Sequence, residues 1–218
     1  MKHYFDFLLT GKKFLSVWLP FYLIVLVPYF VLIFFAGKNE EAIGPWLALA
    51  VVVMILGSFI FYFYMGKMFI EHTRYNDQPL LFSGKFSSYI GKVLLGFFLS
   101  IITLGVYIAW FTRNIMRFFV DQTTLNGFPF SFKGKGVTLF VILLLTVLPI
   151  MVVAFILGSV MAFRGLNSGV ADAGISTILI QVITFVVMIP YMYFVYKWMV
   201  NVAYEDYRIE WKTKFWPS

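Results

Sequence analysis

Apolar and polar positions alternate along this chain in long blocks rather than on single faces. Four runs are almost wholly apolar: 14–36, 46–65, 137–163 and 175–196. Each reaches the roughly 20 residues that a helix needs to cross a hydrocarbon core. Polar or Gly-containing segments bound them, with loops at 37–41 and 164–172. A fifth apolar stretch, 93–112, contains Thr103-Leu104-Gly105. Glycine commonly ends a helix, so this stretch is either one span or two short helices turning back at Gly105. Between the blocks the period changes to two. Leu80, Phe82 and Phe86 fall on one side of an extended chain, as do Phe128, Phe130 and Phe132, and Tyr207, Ile209 and Trp211. That pattern predicts short strands or extended segments along the cytoplasmic interface, able to pair into a small sheet.

Charge decides between the two readings of 93–112. If the chain turns back at Gly105, all of the 17 lysines and arginines except Lys38 and Arg164 share one face. If it crosses once, Arg113, Arg117, Lys133 and Lys135 move to the other face and the bias collapses. The positive-inside rule favours the turn-back, with both termini cytoplasmic.

A short motif recurs and supports the same reading. It reads Phe82-Ser83-Gly84-Lys85 and Phe132-Lys133-Gly134-Lys135, with a looser form at Phe7-Leu8-Leu9-Thr10-Gly11-Lys12 and a decayed one at Trp211-Lys212-Thr213-Lys214. Lys67, Arg117 and Lys197 precede three of these. The fold expected is therefore an all-α integral membrane protein, a single transmembrane domain over 1–218. It comprises three helical-hairpin repeats at about 5–78, 79–127 and 128–212, about six helices in all, with a short or re-entrant central pair. Pro28 and Pro149 lie at similar offsets after their Gly-Lys, Gly105 lies near the equivalent place in the central copy, and Pro190 interrupts the last run. These four are the expected helix breaks. Half-length helices at membrane depth need protein or a water-filled cavity around them, so the central copy should be wrapped by the outer two.

Composition sharpens the picture. Hydrophobic residues make up 61% of the 218 and charged residues 12%, with mean hydropathy +0.89. Soluble domains carry about 25% charge, and so apolar a chain could not cover itself with polar groups in water. Phe reaches 27, in keeping with two interfaces to anchor. The basic start, Met1-Lys2-His3, precedes an apolar run longer than the roughly 7–15 residues of a signal-peptide core and no A-x-A-like site follows, so the first run should stay as a transmembrane helix. The net charge of +7 is accounted for by residues flanking apolar spans, and no nucleic-acid partner is expected.

The stretch from Phe82 to Gly136 resembles the YjgN-like family of bacterial inner-membrane proteins of unknown function. The residues that carry the resemblance are Phe82-Ser83-Gly84-Lys85, Tyr89, Thr103-Leu104-Gly105-Val106-Tyr107, Ala109-Trp110, Arg113, Arg117, Phe118-Phe119, Gly127 and Phe132. It covers about a quarter of the chain. It implies a bacterial inner-membrane location and brings no activity with it. The family usually has a denser arginine cluster after the tryptophan, where this chain has Arg113 and Arg117, so a role resting on such a cluster does not carry over.

Catalytic chemistry finds little to work with. There is no cysteine, hence no disulfide, thiolate site or cysteine nucleophile. Only His3 and His72 are present, without H-E-x-x-H spacing, so no metal or other cofactor is expected. No acidic residue falls inside an expected span, which argues against a proton-coupled pump. His72, beside Glu71, reads as a solvated loop residue. Gly84-Lys85 and Gly134-Lys135 have two readings: a backbone that approaches an anionic headgroup with a lysine to hold it, or a tight turn with a positive-inside lysine. Arg113 and Arg117 share a helix face and either snorkel or clamp a headgroup. Gln181 is the conspicuous polar side chain deep in a span, and either lines a cavity or bonds between helices. Ala154, Gly158 and Ala162 form a small-residue stripe for close helix approach. The function expected is that of a non-enzymatic membrane component binding lipid or a partner membrane protein, with homo-oligomerisation compatible. A small-molecule or lipid transporter or channel is the alternative.

Overall fold

The computed structural model describes residues 5–36, 40–165 and 171–209. The expected loops around 38 and 167 and the motif at 211–214 lie outside the described residues. The elements run β1 (Phe5–Phe7), α1 (Gly11–Ala36), α2 (Glu40–Glu71), β2 (Thr73–Tyr75), β3 (Gln78–Pro79), β4 (Leu81–Phe82), α3 (Phe86–Ile102), α4 (Ile108–Asp121), β5 (Thr123–Leu125), β6 (Phe128–Phe132), α5 (Gly136–Gly165), α6 (Ala171–Met199), β7 (Val202–Tyr204) and β8 (Tyr207–Ile209). Among the described residues there are six helices, as the hydrophobic blocks predict. Four are long and apolar enough to cross a membrane, at Gly11–Phe30, Leu49–Glu71, Gly136–Ile156 and Gln181–Met199. Their large apolar side chains face outward: Phe34, Leu145, Phe155 and Phe185 are all exposed. Water would not tolerate such a surface; a bilayer requires it.

The extended segments amount to more than the flanking pieces expected from an all-α fold. They pair antiparallel as β1-β2-β3, β4-β5-β6 and β7-β8. Three two-residue turns make β-hairpins: Asn76-Asp77 between Tyr75 and Gln78, Asn126-Gly127 between Leu125 and Phe128, and Glu205-Asp206 between Tyr204 and Tyr207. Asn76, Asp77, Asn126, Gly127 and Glu205 take positive φ, the conformation that matches a tight hairpin to strand twist. Phe86 belongs to α3 and not to the extended segment with Leu80 and Phe82.

The chain divides into two units, Met1–Leu94 with Phe118–Phe130, and Leu95–Arg117 with Ser131–Ser218. In the first, α1 and α2 pack together, crossing closely where Gly57 admits Ile24; a Cβ on Gly57 would stand 2.7 Å from Ile24 Cγ2. Phe21 and Phe61 stack beside this crossing with centroids 3.9 Å apart. β1 and β2 pair antiparallel, Phe7 opposite Thr73, and β4 and β5 do the same, Phe82 opposite Thr123. In the second unit, α3 ends at Ile102, the chain turns through 103–107, and α4 starts at Ile108. Leu104 and Gly105 take positive φ there, and the Gly105 N–H donates to the Ser100 carbonyl at 2.7 Å. Gly96 lies directly beneath the Phe111 ring, so the chain does turn back. α5 and α6 form the long helical pair of this unit.

Candidate functional site

Each Phe-x-Gly-Lys motif lies where a strand gives way to a helix. In the first unit, the Ser83 N–H donates to the Gln122 carbonyl at 2.9 Å, and the Lys85 carbonyl accepts the first helical bond, from Tyr89, at 3.1 Å. Between them Gly84 has no room for a side chain. An added Cβ would collide with the Phe82 ring and stand 2.9 Å from Phe118 Cζ. These rings belong to an aromatic cluster: Phe63, Tyr89, Phe118 and Phe119 are all buried, with Phe82 against them. Tyr89 is fully buried and its hydroxyl has no hydrogen-bond partner.

The second motif repeats this local geometry within the second unit. The Lys133 N–H donates to the Asn201 carbonyl at 2.9 Å, and the Lys135 carbonyl accepts from Leu139 at 3.3 Å. A Cβ on Gly134 would collide with the Phe132 ring and approach Trp198 Nε1 to 2.9 Å. The Trp198 indole N–H donates to the Lys135 carbonyl at 2.9 Å. Neither glycine takes a positive φ; their small size is what matters here, because an aromatic ring folds back over each. Lys85 and Lys135 are exposed beside them.

Arg113 reaches this second motif. Its Nε donates to the Gly134 carbonyl at 3.4 Å, and its Nη1 to Asn114 Oδ1 at 3.5 Å. Asn114 in turn donates to the Tyr107 hydroxyl at 3.4 Å. One turn earlier on α4, Trp110 covers Gly136, where a Cβ would stand 2.8 Å from its ring, and packs on Phe140. The structure thus brings together Arg113, Gly134 and Lys135, with Trp110 and Trp198. Gly84 and Lys85 lie in the other unit, and Arg117 is exposed.

Helix breaks divide differently from the expectation. Gly105 does end a helix, whereas α1, α5 and α6 run continuously through Pro28, Pro149 and Pro190. Neighbouring helices, Ser/Thr side chains or local adjustment of the ladder can hold a helix across a proline in an apolar setting. Gln181 is exposed. Gly11 is also corrected: a Cβ there meets open space, and Thr10 occupies the capping position of Lys85 and Lys135, its carbonyl accepting from Phe14 at 3.0 Å. Leu9, not Gly11, precedes that capping residue as Gly84 and Gly134 precede theirs. His72 is not simply solvated. Its Nδ1 lies 2.8 Å from the Met68 carbonyl and its Nε2 3.1 Å from Lys13 Nζ.

Sequence reasoning missed the aromatic seats and the hairpins. Asn126-Gly127 is a strong hairpin signal; nothing in the local sequence marks Trp198 as the cover of Gly134. A cavity of about 320 Å³ lies between α1 and α2, lined by Ser16, Pro20, Phe21, Gly57, Phe61 and Tyr64 among others. Ser16 and Tyr64 supply its only polar side chains. Among the described residues no group of three His, Cys, Asp or Glu stands ready to hold a metal.

The chain is 37% identical over 70 residues to the inner membrane protein YjgN of Salmonella typhimurium, a match covering 32% of this chain and 18% of that protein. No solved structure matches it. The model of a family of bacterial proteins of unknown function, DUF898, matches residues 77–213, from β3 through both glycine–lysine motifs and the Trp198 seat, and the chain belongs to that family.

Proposed function

We propose that this is a multi-pass protein of the bacterial inner membrane, built from three copies of one strand–helix–helix unit. Each unit hands over to the next through a β-hairpin, and both termini are cytoplasmic. Three equivalent hydrogen bonds support the three copies. The N–H groups of Leu8, Ser83 and Lys133 donate to the carbonyls of His72, Gln122 and Asn201, each at 2.9 Å. Each bond ties the start of a helical pair to its end. The location rests on the relationship to an inner membrane protein.

Its function is that of a non-enzymatic membrane component that binds lipid or a partner membrane protein, a second copy of itself included. The observation that carries this is the segregation of charge. Lys12, Lys13, Lys67, Lys85, Lys135 and Lys197 all sit where helices meet strands, at the ends of apolar helices, and the four candidate spans carry no acidic residue but the terminal Glu71. Basic residues at the helix ends of each unit suit anionic headgroups and cytoplasmic orientation. Transport of a small molecule or lipid is the second reading, carried by the short pair α3–α4 turning at Gly105. Native mass spectrometry of the protein extracted from its own membrane tests the choice. A retained lipid or a stoichiometric partner is expected. Protein free of both, together with substrate flux in proteoliposomes, would overturn the component reading in favour of transport.

A further inference from the structure

The cavity between α1 and α2 lies wholly within the first unit. Its floor is the Gly57–Ile24 crossing, and it extends from there toward the strand end of the two helices. On α1 it is lined by the stripe Ser16, Pro20, Ile24, with Val17 and Phe21 alongside. Residues four apart lie above one another on a helix, so Lys12 continues the Ser16 row and Lys13 the Val17 row, one turn beyond the cavity. On α2, Lys67 stands three residues past the lining Tyr64. Both α1 lysines are exposed. The Lys13 ammonium lies 3.1 Å from His72 Nε2, a group with no negative charge to offset it. Lys67 has only an exposed contact with Glu71 at 3.8 Å, which contributes little. The result is an apolar slot with a positive rim.

We infer that this slot holds one anionic diacyl phospholipid, an acyl chain between α1 and α2 and the phosphate against Lys12 and Lys13. The volume of about 320 Å³ falls within the roughly 300–1,000 Å³ of small-ligand sites. The apolar lining suits hydrocarbon, and the charge at the mouth selects the headgroup. Lys67 adds field at the rim. The Ser16 hydroxyl is engaged with the Lys13 carbonyl at 2.7 Å, so the wall of the slot offers few free polar groups to a soluble solute.

This assignment rests on the lipid-binding reading, and the test keeps the two apart. The full chain, purified in mild detergent and stripped of lipid, is titrated with phosphatidylglycerol or phosphatidylcholine and followed by native mass spectrometry. One tight phosphatidylglycerol is expected, in preference to phosphatidylcholine. Near a membrane surface each lysine contributes about five-fold in affinity, so Lys12→Ala with Lys13→Ala should weaken that one site by about 30-fold. Lys12→Arg with Lys13→Arg should restore it. Ser16→Phe, at an exposed wall position, should abolish binding of the same lipid by filling the slot. Phosphatidylglycerol held equally by wild type, the alanine pair and Ser16→Phe would sink the site and leave lipid binding standing. No preference for phosphatidylglycerol in any variant would sink both.

Discussion

If rings folded over Gly84 and Gly134 are what the Phe-x-Gly-Lys motif is for, one methyl group should be costly there. Consider Gly134→Ala. Its Cβ collides with the Phe132 ring and approaches Trp198 Nε1 to 2.9 Å, at a buried position. Both rings must move, and overpacking of this kind costs about 1–3 kcal/mol. Displacing Trp198 also breaks its 2.9 Å bond to the Lys135 carbonyl, a further ~1 kcal/mol. The sum is about 2–4 kcal/mol. For a chain of this length that corresponds to a fall of roughly 4–16 °C in Tm. The assay is thermal unfolding of the purified protein in detergent, followed by tryptophan emission. The control is Gly91→Ala, where an added Cβ meets nothing within 4 Å and the helix gains in propensity. A cycle with Phe132→Ala isolates the cause, because removing the ring should relieve much of the Gly134→Ala penalty, a coupling of about 0.5–3 kcal/mol. Gly134→Ala as stable as Gly91→Ala, or a penalty unchanged when the ring is gone, refutes the seat.

Other outcomes follow from the same geometry. Tyr89→Phe removes a buried hydroxyl without a partner and should raise stability by about 1 kcal/mol; a drop in Tm would mean that the hydroxyl is bonded. Gly105→Ala and Gly127→Ala force a side chain into φ near +89° and +84° and should each cost about 1–2 kcal/mol in the same melt; unchanged melting would count against those turns. The chain has no native cysteine, so Gln78→Cys and Asn126→Cys should both be labelled by an impermeant maleimide only from the cytoplasmic side, and outside labelling at 126 would refute the turn-back topology. Arg113→Ala loses one long bond to Gly134 and should cost no more than about 1 kcal/mol; a loss as large as that at Gly134 would give Arg113 a greater share in the seat than its geometry does.

Much of the architecture is decided by local sequence. Apolar runs such as 137–163 have a single outcome in a bilayer, because only a helix satisfies its own backbone there, and α5 follows (Gly136–Gly165). Thr103-Leu104-Gly105 carries the break between α3 and α4 for an equally local reason: Gly105 and Leu104 adopt positive φ, which glycine takes without strain. Period-two aromatics announced the extended segments, and Asn126-Gly127 contains the hairpin in two residues. Prolines were the weaker signal. Pro28, Pro149 and Pro190 sit inside unbroken helices, since whether a missing hydrogen bond ends a helix depends on what surrounds it.

What the fold alone decided is why the recurrent residues recur. In sequence, Gly84-Lys85 reads as a tight turn before it reads as an anion cradle; only the return of α4 places Phe118 over Gly84, and only the return of α6 places Trp198 over Gly134. Those partners are 34 and 64 residues away (118 − 84 and 198 − 134), and no local propensity encodes such a distance. The slot between α1 and α2 is of the same kind. Its rows of residues are legible as helical stripes, but whether two stripes close on each other or leave a gap is set by how near Gly57 lets Ile24 approach. Hydrophobicity and backbone chemistry act along the chain and can be read from it; side-chain volume acts between segments and exists only once they have met.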